Sequence, residues 1–130
     1  MIEPRHAKME DLLWMADLSS LYTKENTKTQ ILEIMHGMFG NKFMLVWDNI
    51  GYVIFSVNGK ILFVDGIAVV PDKLGSIYAG KIGQYIIKIA KDCNCKYIKG
   101  IVSQDNPMTG RLINNKKYDI MGYVVQREVA

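Results

Sequence analysis

The chain has 130 residues, 49% of them hydrophobic and 22% charged, with a formal net charge of +3. Such a composition excludes intrinsic disorder, and the length suffices for one core that removes about two-thirds of the unfolded surface from water without disulfides or a structural metal. The small positive charge does not point to nucleic acid, and no apolar run reaches the roughly 18 to 20 residues of a bilayer span. The start, Met1-Ile2-Glu3-Pro4-Arg5-His6, lacks the basic-then-apolar order of a signal peptide, so a cytoplasmic protein with no membrane partner is expected. No repeat or linker interrupts residues 1–130, which read as a single domain.

Residues 2–7 are compatible with a short strand. Met9, Leu12, Leu13, Ala16 and Leu18 then recur at near-helical spacing, with Glu10 and Asp11 in the first turn, and predict a first helix. Thr27 with Gln30 three places on is a capping-box pattern, and Ile31, Ile34, Met35 and Met38 line one face of a second helix that Gly37 and Gly40 should end. Three β-rich runs follow, at 43–47, 52–57 and 61–64, the last interrupted by Gly66 before Ile67-Ala68-Val69-Val70 and closed by Pro71. Asn58-Gly59 predicts a two-residue type I′ hairpin, Asp48 to Gly51 a looser turn, and Gly66 a bulge or the close approach of another molecule. A third helix is expected from about Ser76 to Asp92, a strand over 97–102, a helix from Asn106-Pro107 to about Lys116, and closing strand material over 118–129. The order β-α-α-β-β-β-α-β-α-β defines an α+β fold with a mixed sheet, in which the third helix connects two parallel strands.

The two cysteines, Cys93 and Cys95, are too close for an easy disulfide and too few for zinc, so free buried thiols and no metal site are expected. The eight methionines, Met35, Met38 and Met44 among them, read as core filler, and Trp14 and Trp47 as packed residues. Lys99, Arg111, Lys116 and Lys117 form a basic cluster late in the sequence that reads as a solvated face. The strand-to-helix crossover carries the most chemistry. A helix N-terminus presents unpaired N–H groups and a positive dipole end to a phosphate, Lys73 and Lys81 flank it, and Gly75, Ser76, Ala79 and Gly80 are small enough for backbone approach.

From Val69 to Gly122 the chain resembles the GCN5-related N-acetyltransferase family. There a strand ending in V-x-P leads to a Q/R-x-x-G-x-G/A loop and a helix; here Val69-Val70-Pro71 precedes Leu74-Gly75-Ser76-Ile77-Tyr78-Ala79 in the same register. The family's later helix alanine, turn, strand, Asn and closing tyrosine segment fall on Ala90, Asn94, Tyr97–Val102, Asn106 and Leu112–Tyr118. Arg5-His6-Ala7-Lys8-Met9-Glu10-Asp11 is similar to its opening R-x-A-x-x-x-D. The sequence departs from the pattern where Leu74 replaces the loop's Arg or Gln, Ile77 its middle glycine, Ile113 the tyrosine acid and Ile101 a carboxylate base.

The resemblance implies the acyl-CoA N-acyltransferase fold and an enzyme that moves acetyl from acetyl-CoA to a primary amine by direct attack. Its acceptor would be a small molecule or a protein amine, and a homodimer is compatible with the family. Coenzyme A would meet the backbone of Ile67, Ala68 and Val69, then Lys73, Leu74, Gly75, Ser76, Ile77, Tyr78, Ala79 and Gly80, with Asn106 opposite. Asp65, beside the expected bulge, is the first candidate base and His36 the second. Tyr78, Tyr118 and Tyr123 are candidates for the lost acid, and Glu25, Glu33, Asp105 and Asp119 for acceptor contacts. The alternative is a non-catalytic interaction or regulatory protein of the same fold, with its chemistry lost at Leu74, Ile77, Ile101 and Ile113.

Overall fold

A computed structural model describes residues 3–23, 25–73, 77–101, 119–121 and 124–129. Its elements are β1 (Arg5–His6), α1 (Asp11–Ser20), α2 (Lys28–Met38), β2 (Phe43–Trp47), β3 (Gly51–Asn58), β4 (Ile61–Val69), a 3₁₀ turn (Pro71–Lys73), α3 (Ile77–Asp92), β5 (Tyr97–Ile101), β6 (Asp119–Met121) and β7 (Val124–Glu128). They form one sheet in the order β1-β2-β3-β4-β5-β7-β6. The antiparallel meander β2-β3-β4 and the parallel β4–β5 pair around α3 are as the sequence predicts. The expected helix from Asn106 lies outside the described residues.

Three expectations are corrected. The closing stretch is two strands, with β7 inserted between β5 and β6 and antiparallel to both, because doubling back covers β7's second edge where one long strand would leave it open. The hairpin loop is Gly59-Lys60: Asn58 stays in the strand opposite Ile61, and only Gly59 takes a positive φ (60°), the pattern of a turn with glycine first. Cys93 is exposed, and only Cys95 is buried. The cause is the end of α3, where Asn94 adopts φ 58° and the N–H groups of Asn94 and Cys95 reach back to Lys91 and Ala90 at 3.0 and 2.8 Å. This Schellman arrangement turns Cys95 onto Ala90 in the core and leaves Cys93 outside. Burial pushes the Cys95 thiol pKa up.

Helices cover both faces of the sheet, which explains why β2 and the first half of β3, Tyr52–Phe55, read as unbroken apolar runs. Leu45, Trp47, Val53 and Phe55 pack with Ile82, Ile86 and Ala90 of α3. Their neighbours in sequence, Met44, Val46, Tyr52 and Ile54, pack on the other side with Leu12, Met15 and Ala16 of α1 and Ile31 and Met35 of α2. The Thr27–Gln30 capping box forms as expected, at 3.2 and 2.8 Å.

Strand β4 changes parity halfway along. Leu62 and Val64 face α3, yet Ala68 faces α1 and α2, and Val69 faces α3. The register accounts for the switch: Phe55 pairs with Val64 and Ile54 with Gly66, so Asp65 is the extra residue of a β-bulge. The insertion brings both Asp65 and Gly66 to the α2 side of the sheet.

At the opposite end of the meander, Arg5 holds Asp11 with two bonds of 2.8 Å and Asp48 with another of 2.8 Å, fastening α1 to the β2–β3 turn. The hydrogen bonds from Arg5, aided by the Lys8 N–H, hold the Asp11 carboxyl at about 2, below its ordinary 3.8. A carboxyl depressed by folding stabilises the protein above its unfolded pKa, and that contribution is lost as pH falls through the folded value. Arg5→Gln is therefore expected to destabilise the protein at neutral pH, modestly because the pair is screened by solvent. The difference from wild type should shrink between pH 4 and 2 in urea denaturation; a constant difference would show that the pair is not its source.

Candidate functional site

The parallel pairing of β4 with β5 runs from Ile61–Tyr97 to Val64–Gly100 and stops there. Beyond it β4 continues to Val69 on β3, while Ile101 of β5 pairs with Val124 of β7. Two adjacent strands therefore part at the bulge, and among the described residues no strand fills the gap. Val70 donates its N–H to the Ile50 carbonyl at 2.8 Å, on the β3 side. Alternation along the ladder turns the N–H groups of Ile67 and Val69 the other way, into the gap. Tyr22, from the end of α1, donates its hydroxyl to the Val69 carbonyl at 2.6 Å and ties that edge down.

On the α2 face, directly beside the bulge, lies a cavity of about 210 Å³. Its apolar wall is Ile31, Met35 and Met38 of α2 with Ile54 of β3, and Ile34 stands at the rim, 48% exposed. Its polar collar is Ser19, Thr23 and Asn26, with Tyr52 beneath. Tyr52 is fully buried, and burial pushes its phenol up to about 12, with a hydrogen bond to Ser19 opposing. The phenol thus stays protonated and available to donate at neutral pH.

Asp65 is the carboxylate of this cavity, its side chain only 13% exposed. Its Oδ1 lies 3.6 Å from Lys42 Nζ, and its Oδ2 accepts from Ser56 Oγ at 3.3 Å. Lys42 Nζ in turn donates to Ser56 Oγ at 3.4 Å. Lys42 and Ser56 did not stand out in the sequence. The signal that finds them is register: Phe43 pairs with Phe55, so the preceding Lys42 comes opposite Ser56.

The other candidates are spread around this centre. Lys73 ends the 3₁₀ turn with its ammonium 5.2 Å over the Tyr78 ring, and Tyr78 and Ala79 lie partly buried against the α3 core. Ile77 opens α3 with 67% of its surface exposed, and Gly80 is exposed on the next turn. His36 sits in the last turn of α2, exposed, and is not among the residues around the cavity; its neighbour Met35 points inward instead. Leu74, Gly75, Ser76, Asn106 and Ile113 lie outside the described residues, as do Asp105, Tyr118 and Tyr123, and the Ile101 side chain is likewise not described. Among the described residues no cluster of three metal-ligating side chains occurs, and no helix is long and apolar enough to cross a membrane.

Among the described residues seven strands form a mixed sheet parted between its fourth and fifth strands, with two helices on one face and one on the other, and the chain is matched over nearly its whole length by known structures. This is the fold of the GCN5-related N-acetyltransferases. A GNAT-family protein from Desulfovibrio desulfuricans superposes with a TM-score of 0.78 at 12% identity, covering 98% of this chain and 99% of its own. GCN5 of Tetrahymena gives 0.73 at 14% identity over 97% and 91%. The PaiA N-acetyltransferase of Thermoplasma acidophilum, solved in complex with coenzyme A, gives 0.67 at 14% over 98% and 99%. No protein-family model and no curated protein sequence matches the chain. At these identities the likeness establishes the acyltransferase fold, and activity must be argued from the site.

Proposed function

We propose that the protein is an acyl-CoA-dependent N-acyltransferase that moves acetyl from acetyl-CoA to a primary amine by direct attack. The observation that carries this reading is the parting of β4 from β5 at the Asp65 bulge, which turns the Ile67 and Val69 N–H groups into the gap left between the described strands, beside a candidate base. Coenzyme A supplies the activated acyl group as a thioester. The cleft suits such a molecule: of the two edge donors one can hold an amide of an extended arm and the other the thioester carbonyl, and α3 begins where that arm would emerge, with Lys73 beside its first turns. The exposed Ile77 adds a side chain where the family has glycine, which should weaken the hold on a pyrophosphate without closing the cleft.

In this reading Asp65 takes the proton of the incoming ammonium, directly or through water. The freed nitrogen lone pair attacks the thioester carbon; the C–N bond forms, the C–S bond breaks, and the sulfur leaves with its electron pair and takes up a proton that balances the second one shed by the nitrogen. A backbone N–H aimed at the carbonyl oxygen favours that step, and no side-chain substitution deletes it. Positioning an amine against a thioester supplies most of the acceleration, so the chemistry does not require the family's tyrosine acid.

Titration with acetyl-CoA, by calorimetry or thermal shift, tests this. At 100 times the dissociation constant, bound ligand adds about 2.7 kcal/mol of stability. No binding at millimolar ligand would favour a non-catalytic protein of this fold, for which the aliphatic Ile77 at the start of α3 speaks.

A further inference from the structure

Asp65 and Ser56 already hold a primary ammonium, that of Lys42, at 3.6 and 3.4 Å. The same carboxylate lines a cavity whose remaining wall is mostly hydrocarbon. We infer that the acceptor is a small, single-headed primary alkylamine: its ammonium docks on Asp65 while its chain lies against Ile31, Met35, Met38 and Ile54, and Lys42 acts as a built-in competitor that sets the affinity. Placing this amine on the reaction path rests on the acyltransferase reading above; the binding itself does not.

Three features select this chemistry. A cavity of about 210 Å³ is below the roughly 300 to 1,000 Å³ of sites for drug-sized ligands, so the occupant is short. Among the described lining residues Asp65 is the one formal charge, which leaves a second ammonium on the same molecule without a partner inside. A carboxylate has about four acceptor positions, so Asp65 can take a second ammonium beside Lys42, but the two cations repel each other at that distance. Methionines on two successive turns of α2 give the wall enough play to follow chains of different length.

The test is calorimetric or NMR titration of the whole protein, without acetyl-CoA, using ethylamine, butylamine, hexylamine and spermidine. Affinity should rise about two- to fourfold per methylene along the alkyl series, as expected for partial to full burial of each CH₂. Spermidine should bind no tighter than butylamine. Lys42→Met should tighten butylamine about three- to tenfold, and Asp65→Asn should weaken it at least tenfold, by the usual scale of close charge pairs. Affinities flat along the series, tighter binding of spermidine than of butylamine, or weaker binding by Lys42→Met would each overturn the proposal, and the chain-length series needs no variant to fold. The acetyl-CoA titration is separate: intact coenzyme binding with a flat amine series sinks the alkylamine site alone, and the reverse result sinks the acyltransfer reading alone.

Discussion

Asp65→Asn should lower turnover with acetyl-CoA and an amine acceptor by about 10²-fold or more, the usual contribution of a positioned general base. Asparagine keeps the shape and its contact with Ser56, but it cannot take a proton from an ammonium. The fold should survive, because the Lys42–Asp65 pair is partly open to water and contributes on the order of 1 kcal/mol or less. Melting temperature and steady-state turnover measured on the same preparation separate the two effects. Unchanged turnover removes Asp65 from the chemistry and leaves the proton to water.

Gly51→Val should destabilise the protein by about 2 to 3 kcal/mol and lower the melting temperature by roughly 10 °C. A Cβ at Gly51 would stand 2.5 Å from the Ala68 carbonyl oxygen and 3.2 Å from the Val69 Cα. Both are backbone atoms and cannot swing aside, so the end of β4 must move. The opposite edge of that segment carries the Ile67 and Val69 N–H groups, so acetyl-CoA affinity should fall together with stability. Gly66→Ala is the control: its Cβ meets nothing closer than the Ile54 Cδ1 at 3.6 Å, an ordinary contact, and the stability change should stay within about 1 kcal/mol. Equal losses from the two substitutions would show that close approach at Gly51 is not what sets the strand.

Local chemistry read directly from the chain accounts for much of the fold. Thr27 and Gln30 specify the start of α2 because each side chain satisfies the other's backbone N–H, and the alternating cores follow from the consecutive apolar residues Phe43–Trp47 of β2 and Tyr52–Phe55 of β3. Gly66 in a strand-like run pointed to the bulge, although the extra residue is its neighbour Asp65 and a Cβ would fit at 66, and the parallel crossover followed from a helix between two strands. Where the structure departs from the reading, at Asn58-Gly59 and at the closing strands, strand pairing sets the outcome: Asn58 pairs with Ile61, and β7 pairs with both β5 and β6.

The site divides in the same way. Asp65 was legible because it is a carboxylate beside a strand irregularity. Lys42, Ser56 and the cavity were not, since Lys42 is 23 residues before Asp65 in the chain and meets it only after β2, β3 and β4 align. The sequence by itself therefore determined most of the described elements, the cap of α2 and the place of the bulge, all products of contacts within a few residues. Only tertiary structure decided which carboxylate faces a cavity, which lysine neutralises it and where the sheet opens, because pairing between distant strands sets all three.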